Sequence, residues 1–237
     1  MKFHMLHFPF LLLCVLVLSC LNEDYLKFQN TFKSLKGKKE ISVVIVGDSI
    51  SGQENSVTGS SYGTFLKPKL EKLLNTRVSM INSSRPEDTV DKVSRRIQED
   101  IQSFRPDVVF IMLGMVDSTL PQLLEQDYEG IAGNYFKKLE REGIFAVVVT
   151  STGYRDWVSG NDERRIRLRE FNDITMYRAT MAHLPVLDLG EHIDVLRRTK
   201  PDEYRSLFQD DIHLSEKGQM FVADYLYNQI ERALKEK

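Results

Sequence analysis

The sequence predicts an α/β domain, a three-layer α/β/α sandwich around a central, mostly parallel sheet of five strands. Three observations carry this. Short apolar runs alternate with amphipathic stretches of helical length, the pattern of successive βαβ units. The runs Ile41–Val46 and Val108–Leu113 are continuous rather than alternating, as in strands buried on both faces. The length, 237 residues, supports one full hydrophobic core and is too short for two ordinary domains.

The elements follow in order. Ile41–Val46 is the first strand, and Tyr62–Leu74 reads as a helix. Val78–Ile81 is a short strand. Glu87–Phe104 reads as one helix, because Val90, Val93, Ile97, Ile101 and Phe104 recur at helical spacing. Val108–Leu113 is the third strand. Tyr128–Glu142 is helical and meets a capping glycine, Gly143. Phe145–Val149 is the fourth strand, Asp162–His183 a long helix, and Val186–Leu189 the fifth strand. Ser215–Lys235 closes the chain as a helix, with Ser215 placed to cap it and Val222, Leu226, Ile230 and Leu234 along one side.

Composition excludes several functions. Apolar residues make up 42% and charged residues 28%, so the chain is globular rather than disordered or fibrous. The formal net charge is −2, and without a basic excess nucleic acid is not an expected partner. The only two cysteines, Cys14 and Cys20, lie in the first twenty residues. The body after them therefore has no disulfide, cysteine-zinc site or cysteine nucleophile.

The first residues read as an address. Lys2 precedes an apolar run from Phe8 to Leu18, the shape of a secretory signal and too short to span a bilayer, which needs about twenty residues. Val17-Leu18-Ser19-Cys20 resembles the lipobox of bacterial lipoproteins. That resemblance implies cleavage before Cys20, acylation of Cys20, and an exported protein anchored in the cell envelope. A plain cleaved signal and a secreted protein is the simpler alternative. The division expected is a signal over 1–19, a linker with an amphipathic helix over 20–39, and the enzyme-like domain over 40–237. In the linker Tyr25, Phe28, Phe32 and Leu35 share one helical side, suited to packing on the domain or to leaning on a membrane.

In parallel sheets the working residues lie beyond the carboxyl ends of the strands. The first strand runs into Gly47-Asp48-Ser49-Ile50, where a glycine permits a tight turn and a serine hydroxyl stands exposed near backbone N–H groups. A hydroxyl needs a base to become a nucleophile. Asp210-Asp211-Ile212-His213, just before the last helix, supplies an imidazole with a carboxylate three residues earlier. That is the logic of a serine, histidine, aspartate triad. His183 and His192 have no acid three residues before them and compete poorly. His192 follows Glu191, but two neighbours do not make a metal site.

Together these blocks resemble the SGNH hydrolase superfamily of GDSL-type esterases and lipases, over residues 40 to 236. The family's Gly-Asp-Ser ends its first strand, and its Asp-x-x-His precedes its final helix. Asn172 stands where many members carry an asparagine. The resemblance implies a flavodoxin-like sandwich, Ser49 as nucleophile, His213 as general base and Asp210 as its orienting carboxylate. It implies no metal and no organic cofactor. The strict Gly-x-Ser-x-Gly elbow of α/β-hydrolases is absent.

Two family positions differ. The second block expects Asn-x-x-x-x-Gly-Asp-Thr, and Asn82 to Thr89 carries Glu87 at the glycine. The third expects Gly-x-Asn-Asp, and Gly114-Met115-Val116-Asp117 carries Val116 at the asparagine. Glu87 keeps a backbone N–H but brings a carboxylate; as an acid after Pro86 it also suits the first turn of a helix. Val116 has no donor, and losing one oxyanion donor costs about 100- to 1000-fold in rate. The oxyanion hole is expected from the N–H groups of Ser49, Glu87 and Gly114, with Asn82, Ser84 or Ser118 as substitute donors. Three readings follow: an ester hydrolase with an altered oxyanion hole, a weakened member that binds a glycan or lipid, and an acyltransferase on the same triad. The expected substrates are O-acetyl groups on carbohydrates or acyl chains on lipids. Tyr154 and Trp157, in the loop after the fourth strand, are candidates to line the cleft and stack on a sugar.

Overall fold

A computed structural model describes residues 23–52, 59–155 and 163–236. Cys20, Trp157 and the expected signal lie outside the described residues. Five parallel strands form one sheet in the order β2-β1-β3-β4-β5. They are β1 (Glu40–Gly47), β2 (Arg77–Asn82), β3 (Val108–Met112), β4 (Ala146–Val149) and β5 (Val186–Leu187). The strand order reverses beside β1, so a crevice opens at its carboxyl end.

The helices are α1 (23–35), α2 (Tyr62–Leu74), α3 (Val90–Ser94), α4 (Ile97–Asp100), α5 (Met115–Ser118), α6 (Glu125–Arg141), α7 (Glu163–Thr180), α8 (Leu189–Thr199), α9 (Pro201–Arg205) and α10 (Glu216–Lys235). The continuous apolar runs feed two cores at once, because successive side chains point to opposite faces. Val43 and Ile45 of β1 and Val108 and Phe110 of β3 pack with α1, α2 and α10. Val44, Val46, Val109 and Ile111 pack with α3, α6 and α7. The three-layer α/β/α class expected from the sequence is the class found.

Several elements differ from the sequence reading. The helix expected over Glu87–Phe104 is broken into α3, α4 and a 3₁₀ turn, Gln102–Phe104. The cause is ionic. Buried Asp88 and Asp100 both pair with Arg96, and Asp100 also takes Arg85, which pins Arg96 at the break. Glu87 stands before the helix and not in its first turn; the cap is Thr89, whose hydroxyl accepts from the Lys92 N–H at 3.3 Å. The fifth strand ends at Leu187, because Asp188 caps α8 through the Glu191 N–H at 3.1 Å.

Helix α1 belongs to the fold. Phe28, Phe32 and Leu35 are buried in the core. The Gln29 amide donates to the carbonyls of Ala233 and Glu236 at 2.9 and 3.0 Å, satisfying groups at the end of α10 that would otherwise be orphaned. No described helix is long and apolar enough to cross a membrane.

If α1 is integral, emptying its core position must cost what a core cavity costs. Phe32→Ala should lower the unfolding free energy by about 3–5 kcal/mol, measured by urea denaturation; a loss below about 1 kcal/mol would mean a peripheral helix.

Candidate active site

The site begins at the turn after β1. Gly47 is required by close approach: a Cβ there would lie 2.4 Å from the Ser51 hydroxyl and 2.7 Å from the Met112 carbonyl of β3. The chain folds sharply, with the N–H groups of Ser51 and Gly52 donating to the Asp48 carbonyl at 3.2 and 3.0 Å. Ser49 sits at the crest, half-buried.

His213 reaches the same point from the other end of the chain. Its loop is closed by an isolated bridge between Phe208 and Leu214 and by the Gln209 N–H, which donates to the His213 carbonyl at 2.9 Å. Its Nε2 lies 3.0 Å from Ser49 Oγ, across 164 residues of sequence. Its Nδ1 lies 2.8 Å from Asp210 Oδ2. The second carboxylate oxygen accepts from the backbone N–H groups of His213 and Ile212 at 2.7 and 3.0 Å. Partial burial alone would raise the Asp210 pKa, but these N–H groups and the imidazole outweigh it and hold it below the usual carboxylate range. An ionised Asp210 keeps the Nδ1 proton in place, so the Nε2 lone pair faces the serine and Ser49 Oγ donates to it. The arrangement can deprotonate the hydroxyl as it attacks an acyl carbon.

Asp48 is buried beside Ser49. One of its oxygens accepts from the Ile50 N–H at 2.9 Å. Burial pushes its pKa up to about 7, against the pull of the Ile50 and Val116 N–H groups and with a further push from Asp117. Asp117, on α5, accepts from the Val90 N–H at 3.1 Å and ties the third loop to α3. Burial raises it to about 7 as well, opposed by the N–H groups of Val90 and Gly114.

This packing revises the expected oxyanion donors. The Gly114 N–H lies near enough to Asp117 to help hold its pKa down against burial. The Asn82 amide donates to the Ser51 carbonyl at 2.7 Å, and the Ser118 hydroxyl to the Met115 carbonyl at 2.7 Å, so neither is a spare donor. The Ser84 hydroxyl is buried and has no partner among the described residues. Among the described residues the N–H groups of Ser49 and Glu87 make no hydrogen bond. Glu87 holds a left-handed backbone, φ 59°, where glycine is at ease and glutamate is strained. Tyr154 cannot line a cleft: it is 2% exposed, packed in the core under the Arg164 guanidinium.

Sequence reasoning missed Gln219. Buried on the first turns of α10, it donates to the Ile50 carbonyl at 3.0 Å and accepts from the Tyr62 N–H at 2.7 Å. One amide thus fixes the serine turn and the start of α2 against the helix that follows His213. Its sequence signal was small, a polar residue on the apolar side of α10. Asn172 of α7 acts likewise on the end of β4, pairing with the Ser151 N–H and carbonyl at 3.0 and 3.1 Å.

A doubly wound sheet with a serine, an imidazole and a carboxylate linked beyond the end of its first strand defines an ester hydrolase of the serine type. The chain belongs to the GDSL-like lipase/acylhydrolase family, whose model matches residues 45–220. It is similar in fold to a lipase/acylhydrolase from Enterococcus faecalis (TM-score 0.67, 20% identity, covering 83% of this chain and 98% of that one). It is also similar to an acetyl xylan esterase (0.70, 20%, 80% and 100%) and to an acetylxylan esterase from Geobacillus stearothermophilus (0.68, 19%, 82% and 94%). No curated protein matches.

Two consequences are measurable. Asp48 and Asp117 keep protons to higher pH in the folded chain than in the unfolded one. The folded state therefore binds more protons between about pH 4 and pH 7, and these groups make stability fall as pH rises through that window. Asp117→Asn should make the pH dependence of the melting temperature shallower there; an unchanged slope would refute it. At Glu87, glycine relieves the left-handed strain, offset by its larger unfolded entropy. Glu87→Gly should therefore raise stability by about 0.5–1 kcal/mol in urea denaturation, and a loss would contradict the strain.

Proposed function

We propose that the protein hydrolyses O-acyl esters of carbohydrates, short acyl groups such as acetyl, through an acyl-enzyme on Ser49. The observation that carries this is the continuous hydrogen-bonded chain from Ser49 through His213 to Asp210. Ser49 attacks the ester carbonyl while His213 Nε2 takes its proton, and the protonated imidazole is stabilised by Asp210. His213 returns the proton to the leaving alcohol. It then activates water, which releases the acid and frees Ser49. The N–H groups of Ser49 and Glu87 are the donors proposed for the oxyanion. The acetylxylan esterases among the structural neighbours support a carbohydrate ester. The lipobox-like Val17–Cys20 supports an exported protein anchored through acylated Cys20, acting on cell-envelope or extracellular material.

Val116 favours a slow enzyme, since its half-buried side chain offers no donor where the oxyanion forms. Turnover of p-nitrophenyl acetate should be measurable and should fall about 1000-fold or more in Ser49→Ala. Val116→Asn should raise kcat by about tenfold or more. Absence of turnover in both the wild type and Val116→Asn would favour a glycan-binding or lipid-binding member instead. Product that forms only with an added alcohol acceptor would favour acyl transfer.

A further inference from the structure

We infer that the end of the domain opposite Ser49 is a docking surface for an anionic bilayer, so that the triad faces away from the membrane. The inference rests on the anchoring reading proposed above and adds which face meets the lipid.

The first observation is where the described chain begins. Glu23 opens α1, three residues beyond Cys20 in sequence. Helix α1 is held rigidly. Phe28 and Phe32 are buried, and Lys27 Nζ donates to the His183 carbonyl at 2.9 Å. An acyl chain on Cys20 would therefore hold this end of the fold close to the bilayer.

The second observation is the surface there. His183 and Met181, just past α7, share an open groove of about 510 Å³ with Lys137, Lys138 and Arg141 from the last turns of α6. Lys27 adds a fourth strong cation beside His183. The opposing exposed acids include Glu140 in the groove, Glu142 directly after Arg141, and Glu23. Two large apolar side chains stand out among these charges, Leu26 at 44% and Met181 at 53% exposure. Cations interleaved with exposed apolar groups suit a headgroup layer, the cations meeting phosphate and the apolar groups entering below it.

The third observation fixes orientation. Helix α6 leads into β4 and α7 leads into β5, so the groove lies at the amino ends of these strands. Ser49 follows the carboxyl end of β1, and all strand pairings are parallel. The groove and the triad therefore lie at opposite ends of the sheet, separated by about the length of β1, 8 residues or roughly 25 Å. A triad so placed meets material on the solution side and not the acyl chains of the bilayer beneath it, which agrees with a carbohydrate ester.

The test uses the full chain purified from membranes and reconstituted into vesicles of phosphatidylcholine and phosphatidylglycerol. The described residues contain no cysteine, so single fluorophores can be placed at Met181→Cys and at Glu216→Cys, the latter three residues past His213. Nitroxide-labelled lipids should quench the first strongly and leave the second at background. Lys137→Glu/Lys138→Glu/Arg141→Glu, or vesicles of phosphatidylcholine alone, should reduce quenching at position 181 by about threefold or more while the chain stays vesicle-bound. Equal quenching at the two positions in a vesicle-bound chain would overturn the docking face and leave the anchor standing. Failure of the chain to stay with vesicles would overturn the anchor, and the docking face with it.

Discussion

The hydrogen bond between Ser49 Oγ and His213 Nε2 is the constraint on which the rest depends. Its partners come from the turn after β1 and the loop before α10, and nothing local holds them together. The fold does so in pieces. Gly47 lets the serine turn press against β3, and Gln219 ties that turn to α10. The Arg155 N–H donates to the Asp211 carbonyl at 2.7 Å, bracing the histidine loop against the segment that follows β4. A misplacement of about 1 Å at such a contact can cost about 100-fold in rate. Buried amides and backbone contacts therefore matter here as much as the triad itself.

Much of this was legible in the sequence, and the reasons are physical. Ile41–Val46 and Val108–Leu113 announce strands buried on both faces because apolar continuity has no other economical use in a short run. Gly-Asp-Ser and Asp-x-x-His are readable because each is local: a turn needs its glycine, and a carboxylate three residues before an imidazole can reach it directly. What was not legible depends on distant partners. Arg96 breaks the helix expected over Glu87–Phe104 only because Asp88 and Asp100 both fold onto it. Tyr154 looks like a cleft aromatic in sequence, yet its hydroxyl-bearing ring packs inside the core. Helix α8 follows β5 so closely that Leu189 read as strand, and only the Asp188 cap separates them.

The two departures from the family pattern have different physical weight. At Glu87 the backbone retains the left-handed geometry of a glycine, so the N–H survives and the cost falls on stability. At Val116 the side chain offers no donor, and under the mechanism proposed above the cost falls on the transition state. Around both, Asp48 and Asp117 are buried acids that hold the surrounding loops through backbone N–H groups. Their burial raises both to about 7 and so shifts them towards the neutral form.

The central claim is that Ser49 is the residue activated by this network. The direct measurement is peptide mass mapping after reaction with a fluorophosphonate. A single adduct on the peptide carrying Ser49, formed much more slowly in His213→Ala, is the result expected. An adduct on another serine, or none after prolonged exposure of the folded protein, would contradict it.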